Sequence, residues 1–182
     1  DGAGHHVNSG KEEAEREQHE FTDIIGSKYL SEEEIMAQAM VFFLAGYETT
    51  SSSLSYCLYE LAINPDIQRR LYQEIQSVKT LDPMLTFSSL SKLTYLDAVL
   101  SETLRKYPPV WILSRESGSV QYSIDEYKLT LEHKQEVIIP VYAIHHAEKF
   151  FPKPEEFNPD RFKPENQHKI VPYTYLPFGG GP

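Results

Sequence analysis

The feature that most constrains the fold is the run 35–47, which is apolar on nearly every face of a helix. This pattern is typical of a helix that protein encloses on all sides. The run is shorter than the roughly 20 residues that a membrane span needs. Ser31 and Glu34 form a capping box before the run and Pro65 follows it, so we predict one helix over about 31–63.

An acid and a cluster of hydroxyls interrupt this apolar helix, and they need a reason because burying them is costly. Glu48 is followed by the hydroxyl residues 49–53, and Gly46 lowers helix propensity by about 1 kcal/mol. The Thr49 hydroxyl can donate to the carbonyl of Ala45. One interpretation is a groove with a proton source, in which Gly46 leaves room for a ligand against the backbone. A tolerated kink in a core helix explains these residues equally well.

Composition and charge exclude several classes of protein. The 182 residues carry a formal net charge of −10, and no cluster of Lys and Arg offers a surface for nucleic acid. Cys57 is the single cysteine, which excludes an internal disulfide and a cysteine-rich zinc site. Neither histidine pair, at 5–6 or 145–146, has the helical spacing of a metal site. The sequence therefore predicts no metal ligands and no nucleic-acid partner.

Beyond the long helix, the pattern predicts a mainly α fold with a small β-sheet. Asn64 and Pro65 supply an N-cap and a first helical residue for a second helix, and 95–107 predicts a third. The run 136–142 is the strongest strand signal, and Pro140 places it at a sheet edge.

The remaining segments are read from their composition. Polar residues dominate 1–30, which we predict to be a disordered linker. The segment 87–93 predicts a short helical turn, and the alternating, β-branched patches within 110–131 indicate further strands. Prolines and aromatics through 150–177 predict a meander of turns without long helices.

Glu102 and Arg105 lie three residues apart on the third helix, which alone indicates an exposed ion pair worth about 0.3 kcal/mol. Arg161 adds a second arginine in the proline-fixed turn 157–162, where aromatic residues flank it. If Arg161 meets Glu102, the three charges form a buried network that locks distant segments together.

These motifs occur in the order found in the cytochrome P450 superfamily, which the chain resembles over about 31–182. An acid–threonine helix comes first, then a Glu-x-x-Arg helix, an Asn-Pro-Asp-Arg-Phe meander and a Phe-Gly-Gly-Gly-Pro loop. The resemblance is closest to the microsomal group that oxidises drugs and steroids, on the stretches 45–51, 59–62 and 95–97. It implies that 31–182 is part of a haem-thiolate monooxygenase domain.

The resemblance implies a haem cofactor and assigns roles to residues on its distal side. Ala45 and Gly46 would border the oxygen site, while Glu48 and Thr49 would relay protons during oxygen activation. A lipophilic substrate pocket is implied next to them. Its residues would be Leu44, Val110, Trp111, Ile112, Leu113 and Ser114.

Other roles are implied behind the haem and at its edge. Glu102, Arg105 and Arg161 would be the structural triad of the family. Arg115 would bind a haem propionate, which a guanidinium can do with two parallel hydrogen bonds. Phe178 would begin the loop that leads to the axial cysteine.

The resemblance implies a parent enzyme that inserts one atom of dioxygen into lipophilic substrates such as steroids and xenobiotics. Its electrons would come from NADPH through a reductase, at the cytosolic face of the endoplasmic reticulum membrane. The axial cysteine would lie beyond Pro182 and the membrane anchor upstream. The chain alone is therefore expected to be an inactive fragment without a metal ligand.

Two alternatives stay open beside this interpretation. A haem-thiolate isomerase or synthase would rearrange peroxides without external electrons, and Glu48 and Thr49 count against it because it has less need of a proton relay. A haem-free truncated product would act, if at all, as a binding or regulatory protein.

Overall fold

The computed structural model describes residues 30–118 and 122–181. These residues fall into two compact units, one within 1–46 and the other within 47–182, and each is described by itself. The predicted linker over 1–30 lies outside the described residues except for Leu30.

Helices make up most of the described structure, as predicted. The α-helices are α1 (Glu32–Ile63), α2 (Pro65–Leu81), α3 (Phe87–Leu90), α4 (Thr94–Lys106) and α5 (Val141–His145). The strands are β1 (Leu113–Glu116), β2 (Tyr122–Ile124), β3 (Leu129–Leu131) and β4 (Glu136–Ile139). The meander, residues 150–177, contains short 3-10 helices at Pro159–Phe162 and Gln167–Lys169.

The start of α1 confirms the predicted capping box. The Ser31 amide donates to Glu34 Oε2 at 2.7 Å, and the Glu34 amide donates to Ser31 Oγ at 3.2 Å. These two bonds satisfy amides that the first turn of a helix leaves without partners.

The prediction that protein encloses α1 on all sides is wrong for this chain. Its apolar residues are largely solvent-exposed; Phe42 is 77% and Phe43 is 68% exposed. A helix that is apolar on all faces is expected to be buried, but its pattern does not show which segment packs against it. Among the described residues, no helix combines the length and hydropathy that a membrane span requires.

The second helix starts at the predicted residue, but its cap differs from the prediction. Asn64 occupies the N-cap position of α2 and makes no side-chain hydrogen bond to that helix. Its amide Nδ2 instead donates to the Glu60 carbonyl at 2.9 Å and to Glu60 Oε2 at 3.0 Å. The side chain therefore ends α1 rather than starting α2.

The sheets are small and antiparallel. Strand β1 pairs with β4, with Arg115 opposite Val137, and β2 pairs with β3. The strongest strand signal ends earlier than predicted, because β4 stops at Ile139 and Pro140 is the N-cap of α5. Proline lacks the amide that a ladder needs, and its fixed φ suits a helix start.

The hydrophobic core of the second unit joins α1, α2, α4 and the meander. Its buried members are Cys57, Leu61, Leu71, Tyr95, Ala98, Val99, Phe151, Phe157 and Phe162. Cys57 is thus a small core residue, and burial raises the pKa of its thiol.

Candidate functional site

The structure brings the charged residues of α4 and the meander together in a network whose centre, Glu102 and Arg105, is fully buried. Glu102 and Arg105 are both 0% exposed. Arg105 Nε donates to Glu102 Oε2 at 2.8 Å and its Nη2 donates to Oε1 at 2.9 Å, so the pair is bidentate. Their spacing of three residues on one helix face allows both side chains to point into the protein from the same turn.

Arg161 approaches the same carboxylate from the turn Pro159–Phe162. Its Nε lies 3.4 Å from Glu102 Oε1, and its Nη2 donates to the Lys153 carbonyl at 2.9 Å. The amide of Asn158 also donates to Glu102 Oε1, at 2.9 Å. One carboxylate therefore fixes both an arginine and the backbone of the meander.

The remaining donors of Arg105 bind carbonyls of two other segments. Nη1 donates to the His145 carbonyl at 3.0 Å and Nη2 to the Pro154 carbonyl at 2.8 Å. Among the described residues, every buried side-chain nitrogen and oxygen has a hydrogen-bond partner. A buried ion network is stable only when its charged groups have such partners. Removing one partner leaves an unpaired buried charge and costs about 3–5 kcal/mol.

Glu48 and Thr49 line a groove of about 430 Å³ within the second unit. The opposite wall comes from the end of α4 and the segment after it. The residues that line the groove are Glu48, Thr49, Ser52, Tyr56, Lys106, Tyr107, Pro108, Pro109 and Tyr142. Glu48 is exposed and Thr49 is half-buried, so an acid and a hydroxyl are both reachable from solvent.

The hydroxyl run bonds back to helix carbonyls, as its composition predicts. Ser51 Oγ donates to the Glu48 carbonyl at 3.2 Å, and Ser53 Oγ donates to the Thr49 carbonyl at 2.8 Å. These bonds weaken the helix around the groove, because each carbonyl is shared between a backbone amide and a side chain.

A buried carboxylate that sequence analysis missed lies next to the groove. Glu60 is 1% exposed, and its Oε1 accepts from Lys106 Nζ at 2.8 Å and from the Tyr107 hydroxyl at 2.5 Å. The Tyr107 ring stacks on Tyr56, with centroids 4.3 Å apart. Burial, followed by the bond to Glu60, raises the pKa of Tyr107. The sequence clue to its burial was that Glu60 directly precedes the apolar residue Leu61, which lies in the core.

The glycine loop lies against β1. Gly179 has a φ of 80°, which strongly favours glycine, and a Cβ there would lie 3.4 Å from Leu113 Cδ1 and 3.9 Å from Arg115 Nη2. Arg115 is exposed and its Nη1 donates to the Ser114 carbonyl at 2.7 Å. Phe178 is 88% exposed. The loop and the candidate propionate ligand are therefore neighbours.

The candidate pocket segment runs from the groove to β1. Val110, Trp111 and Ile112 are exposed, whereas Leu113 is half-buried at the start of the strand. The segment is anchored at the Trp111 carbonyl, which accepts from the Tyr142 amide at 3.1 Å. Farther along, Ser114 Oγ donates to Glu136 Oε1 at 2.7 Å, across the strand pair.

The other candidate residues, Leu44, Ala45 and Gly46, belong to the first unit. Leu44 is 60% exposed, and apart from the adjacent residues and the backbone of the helix itself, no described atom lies within 4 Å of the position that a Cβ on Gly46 would occupy. The helix surface at Gly46 is thus open.

A second missed residue is His145, which is fully buried at the end of α5. Burial lowers its pKa to about 4, and the positive charges of Arg105 and His146 act in the same direction. A pair of histidines after a strand carries no sequence signal that distinguishes a buried imidazole from an exposed one.

Comparison with known proteins identifies the family. The cytochrome P450 family model matches residues 7–182. Probable cytochrome P450 6a13 of Drosophila melanogaster is 50% identical over 84% of this chain and 31% of its own length. Cytochrome P450 3A2 of Rattus norvegicus is 46% identical over 88% of the chain and 31% of its own length. Cytochrome P450 9e2 of Blattella germanica is 45% identical over 83% of the chain and 28% of its own length.

The chain thus spans about three-tenths of the length of these relatives. The match includes the long helix, the Glu-x-x-Arg helix, the meander and the glycine loop, since these all lie within 7–182. The chain belongs to the cytochrome P450 family.

Proposed function

We propose that this chain is the part of a haem-thiolate monooxygenase that carries the proton-relay helix, the structural triad and one wall of the substrate pocket. The enzyme inserts one atom of dioxygen into a lipophilic substrate and reduces the other to water. In balance, R–H + O2 + 2 e− + 2 H+ gives R–OH + H2O. The two protons must reach a site that otherwise excludes water.

The observation that carries the proposal is the groove at Glu48 and Thr49. An exposed carboxylate and a half-buried hydroxyl line the same groove as Pro108 and Pro109, which lead directly into the candidate pocket segment. In this role the Glu48 carboxylate takes protons from solvent and the Thr49 hydroxyl passes them inward. A haem-thiolate isomerase consumes no protons from solvent and gives these residues no comparable task.

Arg115 and the glycine loop have the chemistry and the space that the edge of a haem requires. Arg115 is a solvent-exposed guanidinium beside the glycine loop, and its Nη2 lies 3.9 Å from where a Cβ on Gly179 would be. Glycine there leaves space that a side chain would fill. Arg115 would hold a propionate, and Phe178 and the glycine loop would lead to the thiolate ligand. Haem, when bound, supplies the redox centre for oxygen activation.

The substrate class, redox partner and location follow from the same proposal. Val110, Trp111 and Ile112 expose apolar surface, which suits lipophilic molecules such as steroids and xenobiotics, and Leu113 and Ser114 continue the proposed pocket segment. Electrons come from NADPH through a reductase. We place the whole enzyme at the cytosolic face of the endoplasmic reticulum membrane.

The test is Thr49→Ala in the full-length, haem-loaded enzyme, with Thr50→Ala as the matched control. Thr50 is the adjacent, exposed threonine. We expect Thr49→Ala to release more hydrogen peroxide and form less product per NADPH oxidised, because protons no longer reach the oxygen site efficiently. The control should keep the coupling of the parent enzyme.

Equal coupling in Thr49→Ala and the parent enzyme would contradict the relay. Substrate turnover that proceeds without NADPH and reductase would instead support the isomerase class. If the full-length protein takes up no haem, the result would support the third class, a haem-free protein with a binding role.

A further inference from the structure

His145 joins the triad to the segment that leads into the glycine loop. Its ring is fully buried between α4 and the end of the meander. Nδ1 lies 3.1 Å from the Arg105 carbonyl, and Nε2 accepts from the Leu176 amide at 2.8 Å. An amide can only donate, so Nε2 is the acceptor and Nδ1 carries the proton that it donates to Arg105. Both ring nitrogens are used, and the tautomer is fixed.

The contact between His145 and Arg105 is reciprocal. Arg105 Nη1 donates to the His145 carbonyl at 3.0 Å, while the His145 ring donates to the Arg105 carbonyl. That carbonyl belongs to the last turn of α4, where the helix no longer supplies donors of its own. The imidazole therefore completes the helix end at the residue that also binds Glu102.

Leu176 is held at both ends of its backbone. Its amide donates to His145, and its carbonyl accepts from the Gly179 amide at 3.2 Å. Gly179 in turn lies beside Leu113 and Arg115 of β1. A continuous series of contacts thus runs from Arg105 through His145 and Leu176 to the glycine loop.

We propose that His145 is a positioning residue that sets the place of the loop 178–181 relative to Glu102, Arg105 and Arg161. The inference rests on the proposed function, in which that loop leads to the haem ligand. Aromatic packing holds the ring in this orientation, with Tyr175 at 5.6 Å and Phe151 at 6.2 Å between centroids.

Two substitutions separate the two bonds of the ring. In His145→Gln, the carbonyl oxygen can take the place of Nε2 and still accept from Leu176. In His145→Asn, the shorter amide can take the place of Nδ1 and still donate to Arg105, but it leaves the Leu176 amide without an acceptor. His146→Gln and His146→Asn are matched controls, because the described hydrogen bond of that ring is to the Tyr142 carbonyl within α5.

The experiment uses the full-length haem protein and two measurements. Amide hydrogen exchange at Leu176 reports the bond itself, and the ferrous–carbonyl absorption band reports the fraction of haem with thiolate ligation. We expect His145→Asn to raise the exchange rate by about tenfold and to lose thiolate-ligated haem. His145→Gln should keep both properties, as should the two His146 variants.

Several results would overturn the proposal. They are unchanged exchange in His145→Asn, equal defects in the Asn and Gln variants, or faster exchange without a loss of thiolate ligation. If neither variant folds, the same measurement on the parent protein tests the inference. The Leu176 amide of the parent should exchange about tenfold more slowly than the amide of the exposed Tyr173. Equal exchange rates at these two amides would overturn the inference. A parent protein without haem would reject the proposed function, while the exchange comparison would still test the His145 contact.

Discussion

At the scale of single residues, Glu102 shows how one side chain can hold several segments. Oε2 accepts from Arg105, and Oε1 accepts from Arg105 and from the Asn158 amide, with Arg161 at 3.4 Å. The carboxylate has no exposure to water, so its whole solvation is supplied by these donors. Removing its charge leaves the buried guanidinium of Arg105 without compensation.

We therefore predict that Glu102→Gln lowers the free energy of unfolding by about 3–5 kcal/mol. Chemical denaturation of the parent and variant proteins measures this change. The matched control is Glu156→Gln, which removes an exposed ion pair to Lys153 at 3.5 Å and should leave stability nearly unchanged. A loss at Glu102 no larger than that of the control would contradict the network as a determinant of stability.

The sequence motifs identify the residues of this network but not the residues that surround it. Glu102, Arg105 and Arg161 stand in recognisable motifs, so their proximity was predictable. Glu60 lies in a stretch that carries the family resemblance, but neither that stretch nor the sequence around His145 indicates burial, because their burial depends on where distant segments pack. A helix propensity or a charge count does not carry that information, because the burial of a polar residue is decided by tertiary contacts.

At the scale of elements, α4 depends on a cap from another helix. Its N-cap residue, Leu93, makes no side-chain cap hydrogen bond. Glu74 on α2 supplies the missing acceptors: its Oε1 accepts from the Tyr95 amide at 2.8 Å and its Oε2 from the Leu96 amide at 2.9 Å. A carboxylate at this position also interacts favourably with the positive end of the helix dipole.

Glu74→Ala should destabilise the protein by about 2 kcal/mol, because two helix amides lose a charged acceptor. Urea denaturation provides the measurement. Gln73→Ala, an exposed neighbour on the same helix, is the control and should have little effect. If the two variants unfold at the same urea concentration, the cap from α2 contributes nothing measurable.

Element boundaries were predictable to within a few residues wherever local chemistry determined them. Ser31 and Pro65 mark helix starts through capping and a fixed φ, and the structure follows both. The third helix was predicted one residue late at each end, since its start depends on Glu74, twenty residues or more away in the sequence. Caps supplied by other elements have no local signature.

At the scale of the whole molecule, the exposed apolar surface of α1 is the largest departure from the sequence prediction. Phe42, Phe43 and Leu44 are all at least 60% exposed. The described residues form a core only around the second half of the helix, at Cys57 and Leu61. The chain spans about three-tenths of its relatives' length, and the described residues leave this apolar surface exposed.

The pH dependence of unfolding is also a property of the whole molecule, and His145 gives it a definite sign. The folded-state pKa of His145 is about 4, below its ordinary value of 6.5, because of burial and the charges of Arg105 and His146. The unfolded state therefore binds more protons between these two values. The stability that the protein gains from burying a neutral His145 is therefore fully present above about pH 6.5, and it is lost as the pH falls toward 4.

Carboxylates act in a lower window. Burial of Asp160 opposes ionisation, but hydrogen bonds and charges from Lys163 and Arg70 outweigh it and lower the pKa. Its contribution to stability is present above its ordinary pKa of 3.8 and is lost only below it. A decline that begins near pH 6.5 therefore belongs to a buried base and not to this acid.

We predict that the free energy of unfolding falls by about 3 kcal/mol between roughly pH 6.5 and pH 4 through His145 alone. Urea denaturation across this range gives the slope. His145→Gln should flatten the slope, because glutamine does not titrate, whereas His146→Gln should retain most of it, because burial remains the largest cause of the low pKa of His145. The aromatic neighbours Tyr175 and Phe151 are uncharged in this range and leave the sign unchanged. An unchanged slope in His145→Gln would mean that another group binds the protons on unfolding.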